Sequence, residues 1–229
     1  SLFEALNLSE FCDSIIADIR DQYAVQNAIL QSQPEIIFHM AAQPIVSKGY
    51  TDPRETFETN VMGTVNLLEV CRNITWPCCV LIVSSDKCYE NLDVKTPFKV
   101  GDPMGGKDPY SASKGCTELA FNAYRQSFFQ SGAIRVASAR AGNVIGGGDW
   151  AENRIVPDIV NALFEGKEII IRNPSSTRPW QHVIEPLSGY LRLAERLYSK
   201  RSRHSTSYNF GPYINSNRTV QGLVEESLK

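Results

Sequence analysis

Tyr110 and Lys114, four residues apart in the run YSASK, are a pair whose types and spacing could move a proton. On a helix, positions four apart share a face, so the ammonium would sit one turn from the phenol. A free phenol titrates near ~10. A neighbouring ammonium and a helix N-terminus both favour the phenolate, which gives a base usable at neutral pH. The same spacing also fits an exposed helix pair. A second group lies upstream, where Ser84 and Ser85 are followed by Asp86 and Lys87. Ser85 could donate to the oxygen that Tyr110 deprotonates, and Asp86 and Lys87 follow it directly. As adjacent opposite charges they also fit a solvated turn.

These groups need elements to hold them, and the sequence alternates strand and helix. Apolar, β-rich runs predict strands over 14–17, 35–41, 78–85 and 133–140. Helical patterns fall at 21–31 and 53–72, and from Asp108-Pro109 to about Gln130, with Pro at a first-turn position and Asp as a cap. Unbroken apolar strands separated by helices predict an α/β fold with a parallel sheet covered on both faces. Active groups of such sheets lie at the carboxyl ends of the strands, where Ser84 and Ser85 stand. From Ala141 the pieces shorten: a loop GNVIGGGDW, a helix over 155–165, a strand over 168–171, a helix over 186–199, a strand over 207–210 and a helix from Thr219. The expected division is a sheet domain over 1–140 and a smaller substrate-binding lobe over 141–229. The first fifty residues carry no Gly-rich turn of the kind that holds a pyrophosphate. The expectation is a piece of a longer chain that lacks the first two strands and their helix, and that neither folds stably nor binds a dinucleotide well alone.

Composition narrows the classes. The 229 residues carry a net charge of -2 and no basic stripe, which argues against a nucleic-acid partner. No apolar run approaches the ~20 residues of a membrane span. The six cysteines form no C-x-x-C, and with His39, His182 and His204 they show no metal-ligand spacing. They read as reduced packing residues of a cytoplasmic protein. Cys78 and Cys79 are adjacent in a strand and should face opposite sides. Trp150 and Trp180 read as packing residues before stacking platforms, which they also fit.

YSASK after a strand ending in a serine pair resembles the short-chain dehydrogenase/reductase superfamily. The likeness is to its extended, nucleotide-sugar-modifying branch of NAD-dependent epimerases and dehydratases. HMAAQ (39–43) looks like that family's stretch beside the cofactor ribose, 60–63 like its helix asparagine motif, and ADIRD (17–21) like its adenine-contacting segment. The resemblance implies a Rossmann-type, doubly wound sheet. It also implies NAD held by Asp18, Ile19, Ala41, Ala42, Gln43, Tyr110 and Lys114. Asp18 fits a loop carboxylate or helix cap as well. An acid and a second charged group directly after the serine resemble the sugar 4,6-dehydratases, and the Asp-Lys order resembles those acting on CDP-hexoses. RAGNVIGGGDW (140–150), NRIVPD (153–158) and RPWQHVIEPLSGYL (178–191) look like the substrate-lobe stretches of the same enzymes. The implied activity is a lyase of deoxysugar biosynthesis that converts CDP-D-glucose to CDP-4-dehydro-6-deoxy-D-glucose and water. Ser85, Asp86, Lys87, Tyr110 and Lys114 would be its catalytic residues, and Asn143, Arg154, Arg178 and Asn209 its substrate contacts. Arg178 alone fits a surface salt bridge too. A 4-epimerase and a non-catalytic module that binds NAD or a nucleotide sugar remain as alternatives. The family's habit implies a homodimer or homotetramer through the helices at 53–72 and 109–130.

Overall fold

The computed structural model describes residues 2–91, 96–151, 153–199, 204–213 and 216–228. In chain order the elements are α1 (Leu2–Ala5), α2 (Gln22–Ser32), β1 (Ile36–His39), α3 (Val46–Thr51) and α4 (Pro53–Phe57). A π turn (Glu58–Met62) leads into α5 (Gly63–Asn73), followed by β2 (Cys78–Ser85), a 3-10 turn (Asp86–Cys88), α6 (Pro109–Phe128) and β3 (Ile134–Ala141). Then come β4 (Val144–Ile145), α7 (Ile155–Glu165), β5 (Thr177–Pro179), β6 (Gln181–His182), α8 (Ile184–Tyr198), β7 (Ser207–Phe210), β8 (Asn217–Thr219) and α9 (Val220–Ser227).

The chain divides into two compact units. The larger comprises Ile15–Ala141 and Leu187–Phe210, the smaller Ser1–Ser14, Gly142–Pro186 and Gly211–Lys229. The segment 187–210, assigned from sequence to the smaller lobe, thus lies with the sheet, because β7 hydrogen-bonds to β3.

In the larger unit β1, β2, β3 and β7 form one parallel sheet in that order. Strand alternation sends side chains to two faces. Cys78, Val80, Ile82, Ile134 and Val136 pack with Leu67, Leu68 and Phe121 of α5 and α6. Cys79, Leu81, Ala137 and Ala139 pack with Tyr190, Leu193 and Leu197 of α8. Cys78 and Cys79 therefore do face opposite sides, each buried, whereas Cys12 and Cys116, also expected to pack, are exposed. The helix starts follow from caps. Asp21 accepts from the amides of Tyr23 (3.0 Å) and Ala24 (3.1 Å), and Asp108 from that of Ser111 (3.0 Å), each satisfying N–H groups that a first turn leaves unpaired.

Two expected strands are absent. Residues 14–17 and 168–171 pair with nothing among the described residues. Ile16 is 99% exposed and Ile170 84%. Isoleucine suits a pleated surface, but a strand needs a hydrogen-bonded neighbour, and neither run has one. In the smaller unit β4 pairs in parallel with β6, β5 pairs antiparallel with β8, and α7 packs on α9. Among the described residues no helix is long and apolar enough to cross a membrane.

Candidate active site

Ser85 closes β2 in an extended conformation and caps the 3-10 turn, its Oγ accepting from the Lys87 amide at 3.2 Å. The same hydroxyl donates to Asp86 Oδ1 at 3.1 Å, and Lys87 Nζ lies 3.4 Å from that oxygen. Serine, acid and amine thus share one cluster at the carboxyl end of β2, all three half-buried. The turn lies against α6: a Cβ on Gly115 would be 3.3 Å from the Cys88 carbonyl, and Gly105 N donates to that carbonyl at 2.9 Å. Gly106 is pressed against the backbone of Ser111 and Ala112, where a side chain would overlap. The loop before α6 is therefore seated on its first turn, which carries Tyr110.

Lys114 follows one turn later and is only 6% exposed. Its Nζ lies 6.0 Å from the centre of the half-buried Tyr110 ring, as expected for a helical side chain leaning toward the N-terminus. Burial pulls the Lys114 ammonium down to about 8, against the opposing field of Glu118 one turn further along. His39, at the end of β1, is pushed down to about 4 by burial and by Lys114, so it is a neutral imidazole at pH 7.

The π turn is the clamp that ties β1 to α6. Asn60 Oδ1 accepts from the Gln43 amide at 2.7 Å, while its Nδ2 donates to the Gln43 carbonyl (3.2 Å) and to Ser113 Oγ (2.8 Å). A π turn shifts the helical ladder by one residue. Here the Asn60 carbonyl takes the hydroxyls of Thr64 (2.8 Å) and Thr117 (2.9 Å). The His39–Gln43 stretch is so fixed beside the Tyr110 helix. Ile19 and Arg20 are held from α5, where Asn66 Nδ2 donates to the carbonyls of Ile19 (3.1 Å) and Arg20 (2.9 Å). A Cβ on Gly63 would come within 2.7 Å of the Ile19 side chain, which makes that approach specific to glycine. The Asp18 carboxylate is gripped by Arg20 (Nη2–Oδ2 2.6 Å), whose guanidinium and backbone amide hold it down to about 2.

Sequence reading missed the buried charge below these residues. Glu118 Oε2 receives Arg140 Nη2 (2.7 Å) and Ser138 Oγ (2.8 Å). Arg140 Nη1 reaches Tyr89 Oη (2.6 Å) and the Val100 carbonyl (3.1 Å). Arg140, read as part of a substrate-lobe stretch, is thus a core residue of β3, and burial together with its acidic partner makes this a strong internal ion pair. Asn209, expected on the nucleotide side, has its amide committed elsewhere. Its Oδ1 accepts from Tyr89 Oη (2.6 Å) and its Nδ2 donates to the Phe98 carbonyl (3.0 Å). Two signals in the sequence could have found this network: a glutamate four residues after Lys114, and an arginine near the carboxyl end of a strand rich in small residues.

In the smaller unit Asn143 Oδ1 and Trp180 Nε1 are buried without a hydrogen-bond partner among the described residues. Trp150 is 60% exposed and does not pack as expected. Arg154 precedes α7 and lies 3.7 Å from Asp149. Arg178 in β5 stands directly opposite Arg218 in β8, so both guanidinium groups leave the same face of one antiparallel pair. Like charges so placed repel, and an anion between them relieves that. Arg218 was not singled out from sequence, because only strand pairing brings it beside Arg178.

Comparison with known proteins bears on these residues. The sequence profile of the family described as GDP-mannose 4,6 dehydratase matches residues 5–209. The chain is similar to CDP-glucose 4,6-dehydratase of Salmonella typhimurium (strain LT2), with 48% identity over 233 residues, covering 100% of this chain and 65% of that protein. It thus spans somewhat less than two thirds of that relative's length. Among solved structures it is similar to a double mutant of DesIV, a dTDP-glucose 4,6-dehydratase from Streptomyces venezuelae with NAD and DAU bound. That likeness has TM-score 0.77 and 24% identity, over 93% of this chain and 62% of that one. Pal from Bacillus thuringiensis matches with TM-score 0.81 and 21% identity, over 96% and 69%. These likenesses establish a Rossmann-type α/β fold, and with one profile running through both units the chain belongs to the GDP-mannose 4,6-dehydratase family of extended short-chain dehydrogenase/reductases.

Proposed function

We propose that this chain carries the catalytic centre of an NAD-dependent nucleotide-sugar 4,6-dehydratase acting on a CDP-hexose, CDP-D-glucose in the first instance. The observation that carries the reading is the joined Ser85–Asp86–Lys87 cluster seated against α6, with Lys114 buried one turn from Tyr110. The 48% identity to a CDP-glucose 4,6-dehydratase favours cytidine over other nucleotides.

The residues present suit a dinucleotide. A buried ammonium with its donors facing a phenol matches ribose hydroxyls, and the stretch from His39 to Gln43 offers backbone groups beside them. Bound NAD supplies the acceptor that takes a hydride from the sugar and later returns it. Tyr110 removes the C4 hydroxyl proton, Lys114 favours its phenolate, and Ser85 donates to the same oxygen once Asp86 releases its hydroxyl. Oxidation at C4 acidifies C5–H. Lys87 takes that proton and Asp86 gives one to the C6 hydroxyl, which leaves as water. The pair holds the right number of protons, because ammonium with carboxylate differs from amine with carboxylic acid by one proton crossing 3.4 Å. In the smaller unit Arg178 and Arg218, with Arg154, supply the cationic face that a sugar diphosphate needs.

The test is incubation of the protein with CDP-glucose and NAD, followed by alkali. A 4-keto-6-deoxy sugar gives a near-ultraviolet absorbance that neither substrate nor a 4-epimer gives. Epimerised CDP-hexose without that absorbance would replace this reading with a 4-epimerase, and binding without turnover would replace it with a binding module.

A further inference from the structure

We infer that Glu118 is a positioning residue for the hydride step, the buried carboxylate that keeps Lys114 charged and aligned and is itself set by Arg140. The inference rests on the proposed pairing of Tyr110 with Lys114. Lys114 and Glu118 are four apart on α6, on one face, and are 6% and 2% exposed. Three donors converge on Glu118 Oε2, from Arg140 (2.7 Å), Ser138 (2.8 Å) and Ser207 (3.4 Å). Its Oε1 is buried with no hydrogen-bond partner among the described residues. The carboxylate is thus pinned through one oxygen and keeps acceptor capacity on the other.

The surroundings of Lys114 leave Glu118 a distinct role. From β1 faces His39, which is neutral, and from the 3-10 turn faces Cys88, whose thiol burial pushes up to about 12 and so keeps protonated. On its own helix lie Tyr110 and Glu118. Of these groups Glu118 supplies the field that opposes the pull of burial on Lys114 most strongly. Arg140 orients it and also holds the Val100 carbonyl of the loop that leads to Tyr110. One buried pair therefore braces both ends of the tyrosine–lysine turn.

The experiment uses NAD reduction on the sugar nucleotide, measured across pH in Glu118→Gln, Glu118→Asp, Lys114→Met and the Glu118→Gln/Lys114→Met combination. Without the carboxylate, Lys114 loses its proton more readily and the phenolate loses support. In Glu118→Gln the acidic limb of kcat/KM moves alkaline by on the order of one pH unit, a roughly tenfold loss at neutral pH with KM unchanged. Glu118→Asp retains the limb, and in the Lys114→Met background Glu118→Gln has no further effect on it. Should Glu118→Gln not fold, Glu118→Gln/Arg140→Met is compared with Arg140→Met alone, and the acidic limb lies further alkaline in the double variant. A loss uniform across pH, or one that persists in the Lys114→Met background, assigns Glu118 to core packing and overturns the inference. Undiminished NAD reduction by Lys114→Met instead overturns the pairing of Tyr110 with Lys114 itself.

Discussion

Replacing Lys114 with methionine should make the protein more stable and less active, and the gain in stability should vanish in alkali. The folded ammonium is held down to about 8 by burial, whereas the ordinary value is 10.5. Between these values the unfolded chain binds more protons than the folded one, so stability rises with pH in that window. Below pH 8 the penalty of burying the charge is fully present, and above 10.5 it is gone. At ~1.4 kcal/mol per unit, the displacement corresponds to about 3 kcal/mol at neutral pH. Methionine has similar length and no charge, so it keeps the packing and removes the penalty. For a chain of this size the gain amounts to a rise in Tm of roughly 6–12 °C at pH 7. Urea titrations of wild type and variant at pH 7, 9 and 10.5 measure it directly. A variant no more stable than wild type at pH 7, or equally favoured at pH 10.5, would refute the link between burial and charge. Single-turnover NAD reduction should fall by on the order of a hundredfold or more in the same variant.

Asp86→Asn keeps the shape of the turn but removes the acid, so C4 oxidation should survive while water elimination stalls; full turnover by this variant takes Asp86 out of the chemistry. Gly106→Ala would drive a methyl into the backbone of Ser111 and Ala112; the displaced first turn of α6 should lower stability by about 1–3 kcal/mol and kcat with it, and an unchanged melt and rate would show that the loop is not seated there. Arg218→Gln relieves the cross-strand repulsion with Arg178, so the free protein should hold its stability while KM for the sugar nucleotide rises roughly tenfold; an unchanged KM would separate Arg218 from the diphosphate.

The larger unit was legible where packing and local chemistry agree. The limits of β2 follow from an unbroken apolar run between Pro77 and Asp86, and those of α6 from Asp108-Pro109. Helix and strand periods were enough to put Tyr110 with Lys114 on one helix and Ser85 at the end of the strand whose following turn lies beside that helix. The strands expected at 14–17 and 168–171 failed because isoleucine content reports fitness for a sheet, not the presence of a neighbour. The pairings of β4 with β6 and of β5 with β8 escaped notice because two- and three-residue strands leave no period to read. The assignment of 187–210 to the smaller lobe failed for a topological reason, since a chain that leaves a sheet and returns to its edge gives no compositional sign of doing so.

The rows of side chains across the sheet explain why chemistry and stability sit at opposite ends of the same strands. On the face covered by α5 and α6, one row is Ile37, Val80 and Val136, wholly apolar. The next row toward the carboxyl ends is His39, Ile82, Ser138 and Ser207, and the last is Ser84, Arg140 and Asn209. Polarity rises by one step per pleat. Every polar group introduced there must find a partner or lower the stability of the fold. Glu118 of α6 meets most of that demand by taking Ser138, Ser207 and Arg140 on one oxygen. Lys114 is the member for which burial outweighs the opposing field of Glu118, which is why it is displaced so far. A core assembled for stability alone would continue the apolar row to the strand ends. The graded rows instead keep an ammonium and a carboxylate in a dry layer directly beneath the turn that carries Tyr110, where their fields act with little screening by water.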